Sequence, residues 1–102
     1  MYYVYIVRCD DNSLYTGITA DIDRRMREHV LKEKEAAAYT KSRNVVSLEA
    51  LWSAENRSMA SKLEYIIKRY PKVKKESLIA DPNVFEEYPV LEIVDKYFRK
   101  IK

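Results

Sequence analysis

The N-terminal run of strand-forming residues constrains the fold of this chain most. Residues 2–8, YYVYIVR, are aromatic or β-branched up to the closing arginine and contain no glycine or proline, a composition typical of a β-strand. Apolar side chains stand at successive positions, so both faces of the strand are expected to be buried. A strand buried on both faces belongs in the middle of its sheet, and the rest of the chain is expected to supply the elements around it.

Turn and helix signals follow directly after this strand. DDNS at 10–13 predicts a turn, and LYTGI at 14–18 predicts a second short strand, so that the two strands form an antiparallel hairpin. A helix is then predicted to begin near Ile22. Its apolar residues repeat every four positions. They are Ile22, Met26 and Val30, and the residues predicted to face outward are Arg24, Arg27, Glu28 and Lys32.

The remainder of the chain predicts one more strand and three more helices. VVSLEALW at 45–52 looks like a third strand, and a helix is expected from Arg57 or Ser58. Pro71 cannot continue that helix but suits the first turn of another, over about residues 71–80. Pro89 is expected to open a last helix, whose apolar face would be formed by Leu91, Val94, Phe98 and Ile101.

The predicted fold class is α+β, with a mixed α/β layer. A small three-stranded antiparallel sheet is flanked by helices, in the order β-β-α-β-α-α plus a C-terminal helix. The 102 residues are enough for one hydrophobic core. Residues 1–80 are expected to form the main domain, and residues 81–102 a C-terminal helical extension packed on the same domain.

Composition and charge exclude several classes of protein. Hydrophobic residues make up 47% of the chain and charged residues 34%, which is ordinary for a folded domain. No apolar run approaches the ~20 residues that span a bilayer and no secretory signal is recognised, so no membrane partner is expected. The single cysteine, Cys9, fits a reducing cytoplasm. Residues 1–79 carry a net charge of +4, which suits a phosphate backbone and is equally well explained by a solvated surface.

The first helix carries two candidate chemical groups. Arg25 and His29 are four residues apart, so they lie on the same side of the helix, at the edge of its apolar stripe. A guanidinium held there could clamp a phosphate with two N–H donors. Taken alone, a surface arginine and a boundary histidine are the commoner explanations. One histidine and no cysteine pair argue against a zinc site.

The second main helix and the hairpin carry the others. Glu64 lies on the flank of an apolar stripe, where a carboxylate could hold Mg²⁺ with several waters retained; a solvent glutamate paired with Lys68 is the commoner alternative. Tyr15 is predicted to stand near Tyr5 across the hairpin, although simple aromatic packing also explains Tyr5. Gly17 leaves the backbone uncovered, which suits the close approach of a large substrate.

The joint spacing of these residues resembles the GIY-YIG nuclease superfamily. Tyr3-Val4-Tyr5 and Tyr15-Thr16-Gly17, ten residues apart, look like a degenerate GIY–YIG pair, with Tyr3 in place of a glycine and Thr16 in place of an isoleucine. The stretch YTGITADIDRRMREH is similar to small single-domain bacterial and archaeal members and to the nuclease domains of structure-specific resolvases. AYTKSR at 38–43 and ASKLEYIIKR at 60–69 resemble further family segments, and the match covers about residues 2–80.

The resemblance implies a nuclease-like domain at residues 1–80 and metal-dependent hydrolysis of DNA phosphodiester bonds. Tyr15 would take a proton from water, Arg25 would stabilise phosphoryl charge, and Glu64 would hold one Mg²⁺ or Mn²⁺ ion. Tyr5 and His29 would orient Tyr15 or the water. Binding to the DNA backbone would fall to Arg24, Arg27, Lys41 and Arg43.

Recognition of DNA structure or weak specificity, in repair or recombination, is the expected role of a domain with little surface for base contacts. Two other functions remain open at this stage. One is a non-catalytic nucleic-acid-binding module of the same fold. The other is a protein-interaction domain, in which the C-terminal helix docks a partner protein or a second copy.

Overall fold

The computed structural model describes residues 1–31 and 44–93. Three strands and three helices follow one another in the predicted order, which confirms the α+β class. Their bounds are β1 Tyr2–Cys9, β2 Leu14–Thr19, α1 Ile22–Leu31, β3 Val45–Ala54, α2 Arg57–Lys68 and α3 Lys72–Ala80. No helix within these residues is both long and apolar enough to cross a membrane.

The sheet has the strand order β2-β1-β3, and both pairings are antiparallel. The N-terminal strand therefore lies at the centre, as its composition predicts. Four successive residues, Val4 to Val7, have no exposed surface, because helices cover both faces of β1. The hairpin turn passes through Asn12, whose φ of 69° is left-handed, a conformation that asparagine tolerates better than most residues.

The helices are divided between the two faces of the sheet. On one face Val4 and Ile6 share a buried cluster with Leu63 and Ile67 of α2. On the other face Tyr5 and its neighbours share a second cluster with Met26 of α1. Strand β2 is at the edge of the sheet, and α2 packs against this strand as well as against β1 and β3.

The segment after α3 differs from its prediction. Ser53 donates a backbone hydrogen bond to the Pro89 carbonyl (2.9 Å), and Leu91 donates one to Leu51 (2.9 Å). Val90 forms a bridge with Trp52. The prediction that a helix begins at Pro89 is wrong. This stretch is extended and forms backbone hydrogen bonds with the outer edge of β3.

Two further predictions concern the C-terminal extension and the outer face of α1. The extension's predicted helical residues Val94, Phe98 and Ile101 lie outside the described residues. Glu28, predicted to face outward from α1, is only 5% exposed, because it forms ion pairs with two arginines.

A charged network on β1 ties α3 to the sheet. The Arg8 guanidinium donates two hydrogen bonds to Glu76 of α3 (2.8 and 2.7 Å) and one to Glu49 of β3 (3.0 Å). Hydrogen bonding to Arg8 lowers the pKa of Glu76 to about 2. The carboxylate is thus ionised in the folded protein well below the pH at which it would take up a proton in the unfolded chain.

We predict a pH-dependent loss of stability for Glu76→Gln. The pKa of Glu76 is lower in the folded protein than in the unfolded chain. Its contribution to the free energy of unfolding is therefore complete above the unfolded pKa and is lost as pH falls through about 2. The side chain is 36% exposed, so the loss at pH 7 is expected to be at most about 1 kcal/mol. Urea unfolding at pH 7, 4.5 and 2 measures it, with the exposed Glu86→Gln as control. An equal effect of both substitutions at pH 7 would contradict the prediction.

Candidate active site

The hydroxyl of Tyr5 is the meeting point of strand β1 and helix α1. Tyr5 has no exposed surface. Its hydroxyl lies 2.9 Å from His29 Nε2 and accepts a hydrogen bond of 3.2 Å from Arg25 Nε. Arg25 and His29 are one helical turn apart on α1, so the same face of the helix presents both groups to the phenol.

The direction of these hydrogen bonds follows from the chemistry of the groups. The Nε–H of Arg25 can only donate, so the phenol oxygen accepts there and can give its own proton to His29. The pKa of His29 is lowered to about 4, mainly by burial. The charge of Arg25 also lowers this pKa, and the charge of Glu28 opposes both effects. The imidazole is therefore neutral at neutral pH and can accept.

Tyr5 itself is held in the protonated form. Burial raises the pKa of Tyr5 to about 12, and the nearby Tyr15 and Glu64 also raise it, while Arg25 lowers it. Because the phenol is fully buried and keeps its proton, it is suited to orienting Arg25 and His29. The expected role of Tyr5 in orienting Tyr15 or the water stays a prediction.

Glu28 fixes the arginine side of the site. Its carboxylate lies 2.9 Å from Arg25 Nη1 and 3.5 Å from Arg24 Nη1. Burial alone would lower the pKa of Arg25, and the hydrogen bonds with Tyr5 and Glu28 outweigh it and raise the pKa. The helical periodicity predicts that Glu28 faces outward, and this prediction is wrong because the residue is buried between the two arginines. The signal that could have found its role is its spacing, three and four residues after two arginines.

Tyr15 lies beside this buried group on strand β2. Its ring centroid is 6.4 Å from that of Tyr5 and 5.9 Å from that of His29. The register pairs Tyr15 with Val7, and Tyr5 with Gly17, so the two tyrosines are diagonal neighbours on one face of the hairpin. The predicted proximity of Tyr15 and Tyr5 is confirmed. Tyr15 is half-buried, so part of the ring is accessible.

Gly17 is required by close packing within the protein. A Cβ at this position would lie 2.6 Å from Tyr5 Cζ and still closer to the hydroxyl. The bare backbone at Gly17 suits a large substrate in the sequence, but in the structure the neighbour that approaches it is the Tyr5 ring. The glycine is therefore needed for the buried phenol to reach His29 and Arg25.

Glu64 reaches the same region from the opposite face of the sheet. It lies on α2, is half-buried, and its carboxylate is 3.3 Å from Lys68 Nζ. The same ammonium lies 5.7 Å from the Tyr15 ring centroid. Since α1 and α2 cover different faces, these groups come together around the free edge of β2. The structure thus links Glu64 to the surroundings of Tyr15 through Lys68, and it confirms the pair with Lys68 that was the alternative explanation for this glutamate.

Of the four residues predicted to bind the DNA backbone, two lie on α1 within the described residues. The Arg24 side chain is 57% exposed despite its ion pair with Glu28, and Arg27 is exposed on the same helix. Lys41 and Arg43 lie outside the described residues.

A divalent ion fits the donor set at Glu64. Within the described residues no three histidine, cysteine, aspartate or glutamate side chains form a metal-binding group. A single partly exposed carboxylate suits Mg²⁺, which usually keeps several waters and is completed by substrate phosphate oxygens. The neighbouring Lys68 would share or release the carboxylate when the ion binds.

Comparisons with known proteins identify the family of this chain. The family model described as the GIY-YIG catalytic domain matches residues 1–76. The chain therefore belongs to the GIY-YIG family, and its relatives within that family are the small single-domain UPF0213 proteins.

Three of these relatives illustrate the match. A UPF0213 protein of Fusobacterium nucleatum is 44% identical over 84 residues, which cover 82% of this chain and 82% of that protein. One of Haloquadratum walsbyi is 47% identical over 77 residues, covering 76% and 84%. The solution NMR structure of a UPF0213 protein from Bacillus halodurans is 34% identical, covers 85% of this chain and 93% of that one, and has a TM-score of 0.48.

We predict that His29 makes the protein less stable in mild acid. Its pKa falls from 6.5 to about 4 on folding, so between these values the unfolded chain binds the proton first. The contribution of the neutral His29 to the free energy of unfolding is fully present above pH 6.5, and about 3 kcal/mol of it is lost by pH 4. Urea unfolding of His29→Gln across this range should give a flatter pH profile. Parallel profiles for wild type and variant would contradict the prediction.

We predict that Gly17→Ala is destabilising through the Tyr5 ring. The added methyl group overlaps a phenol that has no room to move, with an expected cost of about 1–3 kcal/mol. Thermal or urea unfolding measures it. In a double variant with Tyr5→Leu the ring is absent, so the combined loss should be smaller than the sum of the single losses. Additive losses would show that the ring is not the cause.

Proposed function

We propose that this protein is a metal-dependent endonuclease that hydrolyses DNA phosphodiester bonds at the edge of strand β2. Membership of the GIY-YIG family supports a nuclease. The observation that carries the proposal is the cluster around the buried Tyr5, whose hydroxyl accepts from Arg25 and whose ring lies beside the partly accessible Tyr15. Lys68, the ion-pair partner of Glu64, lies 5.7 Å from the Tyr15 ring centroid.

In this proposal Tyr15 accepts the proton of the attacking water. It is the accessible phenol of the pair, whereas Tyr5 is fully buried and held protonated. The Lys68 ammonium, 5.7 Å from the Tyr15 ring centroid, favours negative charge at this ring when the proton is transferred. Tyr5 and His29 act as positioning residues that hold the Tyr15 ring, Tyr5 through a tilted ring contact and His29 through an edge contact.

Arg25 stabilises charge on the phosphoryl oxygens. Its Nε and Nη1 are bonded to Tyr5 and Glu28, so the guanidinium is fixed before substrate binds. A fixed donor group loses little freedom when negative charge develops in the transition state, which is the basis of electrostatic catalysis.

Glu64 would hold the divalent ion, Mg²⁺ or Mn²⁺. When bound, such an ion supplies Lewis-acid stabilisation of the leaving oxygen. The remaining surface of the domain is small and offers cations such as Arg24 and Arg27, which contact phosphates without reading bases. We therefore propose structure-selective or weakly specific cleavage, in DNA repair or recombination in the cytoplasm.

We predict that three substitutions abolish cleavage without loss of fold. Tyr15→Phe, Arg25→Ala and Glu64→Gln each remove one proposed role and should reduce the rate at least about 100-fold. Purified protein is incubated with labelled flap, junction and duplex DNA, with Mg²⁺ and with EDTA. Tyr65→Phe is the matched control, because this exposed tyrosine follows Glu64 directly on α2.

The outcomes separate a nuclease from a binding module. Cleavage by wild type and Tyr65→Phe that needs Mg²⁺ and is lost in the three variants supports the proposal. Equal cleavage by all variants would identify a contaminant and overturn it. DNA binding with no cleavage by any preparation would leave only the non-catalytic module.

A further inference from the structure

A polar cavity lies beside Arg25, at the end of β2 that is farther from Tyr15. It has a volume of about 280 Å³ and opens between the N-terminal parts of α1 and α2. Its lining includes three guanidinium groups and one carboxylate, with half-buried apolar residues of β1 and β2 as the wall. These residues, which we call the arginine pocket, are Arg24, Arg25, Arg57, Glu28, Tyr2 and Ile18.

The charge of the arginine pocket favours an anion. Glu28 is paired with Arg24 and Arg25, so one carboxylate offsets three positive charges. Arg57, the first residue of α2, is exposed and forms no ion pair within residues 1–31 and 44–93. Guanidinium groups bind phosphate through paired N–H donors, and the apolar wall suits the sugar that follows a phosphate in a nucleic-acid strand.

Arg57 is placed against the preference of its own helix. The N-terminus of a helix carries partial positive charge and is stabilised by acidic side chains. The first turn of α2 contains no acidic residue and begins with this arginine, while the cap is supplied by Asn56, which accepts from the Met59 amide. Neither helix stability nor an ion pair within the described residues therefore explains an arginine at this position, and such local departures are expected at functional sites.

The arginine pocket and Tyr15 lie at opposite ends of β2. Ile18 and Tyr15 are three residues apart on β2, which is about 10 Å of strand. Phosphates of one DNA strand repeat about every 3.4 Å along the duplex axis. A strand that follows the β2 edge would therefore place a phosphate in the pocket within a few nucleotides of the bond at Tyr15.

We infer that the arginine pocket is a second phosphate-binding site, which holds a phosphate of the DNA strand flanking the bond to be cut. The inference rests on the proposed function for the identity of the strand. Arg57 is the residue that defines the site, because Arg24 and Arg25 are already engaged by Glu28.

We predict that Arg57→Gln weakens DNA binding and reduces its salt dependence. Fluorescence anisotropy of a labelled 15-base-pair duplex in EDTA measures the Kd without cleavage. Loss of one phosphate contact should lower the slope of log affinity against log salt by about 1 and weaken binding about three- to tenfold. Lys74→Gln on α3, which loses the same charge outside the pocket, should bind as wild type.

Two further measurements complete the test. Arg57→Gln should unfold at the same or a higher temperature than wild type, which excludes misfolding as the cause of weaker binding. A neutral methylphosphonate moved along the strand should weaken wild-type binding at one flanking position and leave Arg57→Gln unaffected there. If Arg57→Gln has the same Kd and the same salt slope as wild type, the proposed phosphate site in the pocket is overturned, even if the protein cleaves DNA. Altered binding without any cleavage would overturn the proposed function and keep the pocket as a phosphate site.

Discussion

The buried hydroxyl of Tyr5 is the interaction on which the rest of the site depends. It joins the central strand to α1 by accepting from Arg25 and lying 2.9 Å from His29 Nε2. The ring can occupy this place only because Gly17 lacks a side chain. A polar group buried without partners would cost free energy, and here each polar atom satisfies another. The cost of burial appears instead in the pKa of His29, lowered to about 4.

This buried group separates positioning from chemistry. Tyr5 and His29 are inaccessible and fix the orientation of α1, whereas Tyr15, Arg25 and Glu64 surround the accessible edge of β2. An edge strand leaves backbone groups and side chains of both faces near one another, so a helix on each face can contribute to one site. The edge continues to the arginine pocket, and catalysis and strand binding would then use the same surface.

The sequence predicted the elements better than their contacts. The aromatic and β-branched composition of residues 2–8 predicted a central β1, and this position and the order of strands and helices were confirmed. Glu28 was assigned to the surface because periodicity records apolar positions and not ion pairs with neighbouring arginines. The segment at Pro89 was assigned to a helix because local signals do not show that the edge of β3 lacks a partner. Nearness of Arg25, His29 and Tyr15 was expected from spacing and family resemblance, although their catalytic roles stay predictions.

By itself the sequence determined the central strand, the hairpin that sets Tyr15 beside Tyr5, and the helical spacing that sets Arg25 beside His29. These are short-range consequences of strand and helix periodicity. Only the tertiary structure decided that the Glu64–Lys68 pair, carried by a helix on the opposite face, lies beside the Tyr15 ring around the β2 edge, and that Arg57 joins Arg24 and Arg25 in one cavity. Such meetings depend on how α1 and α2 pack on the sheet, and side-chain pattern within one element carries no information about that packing.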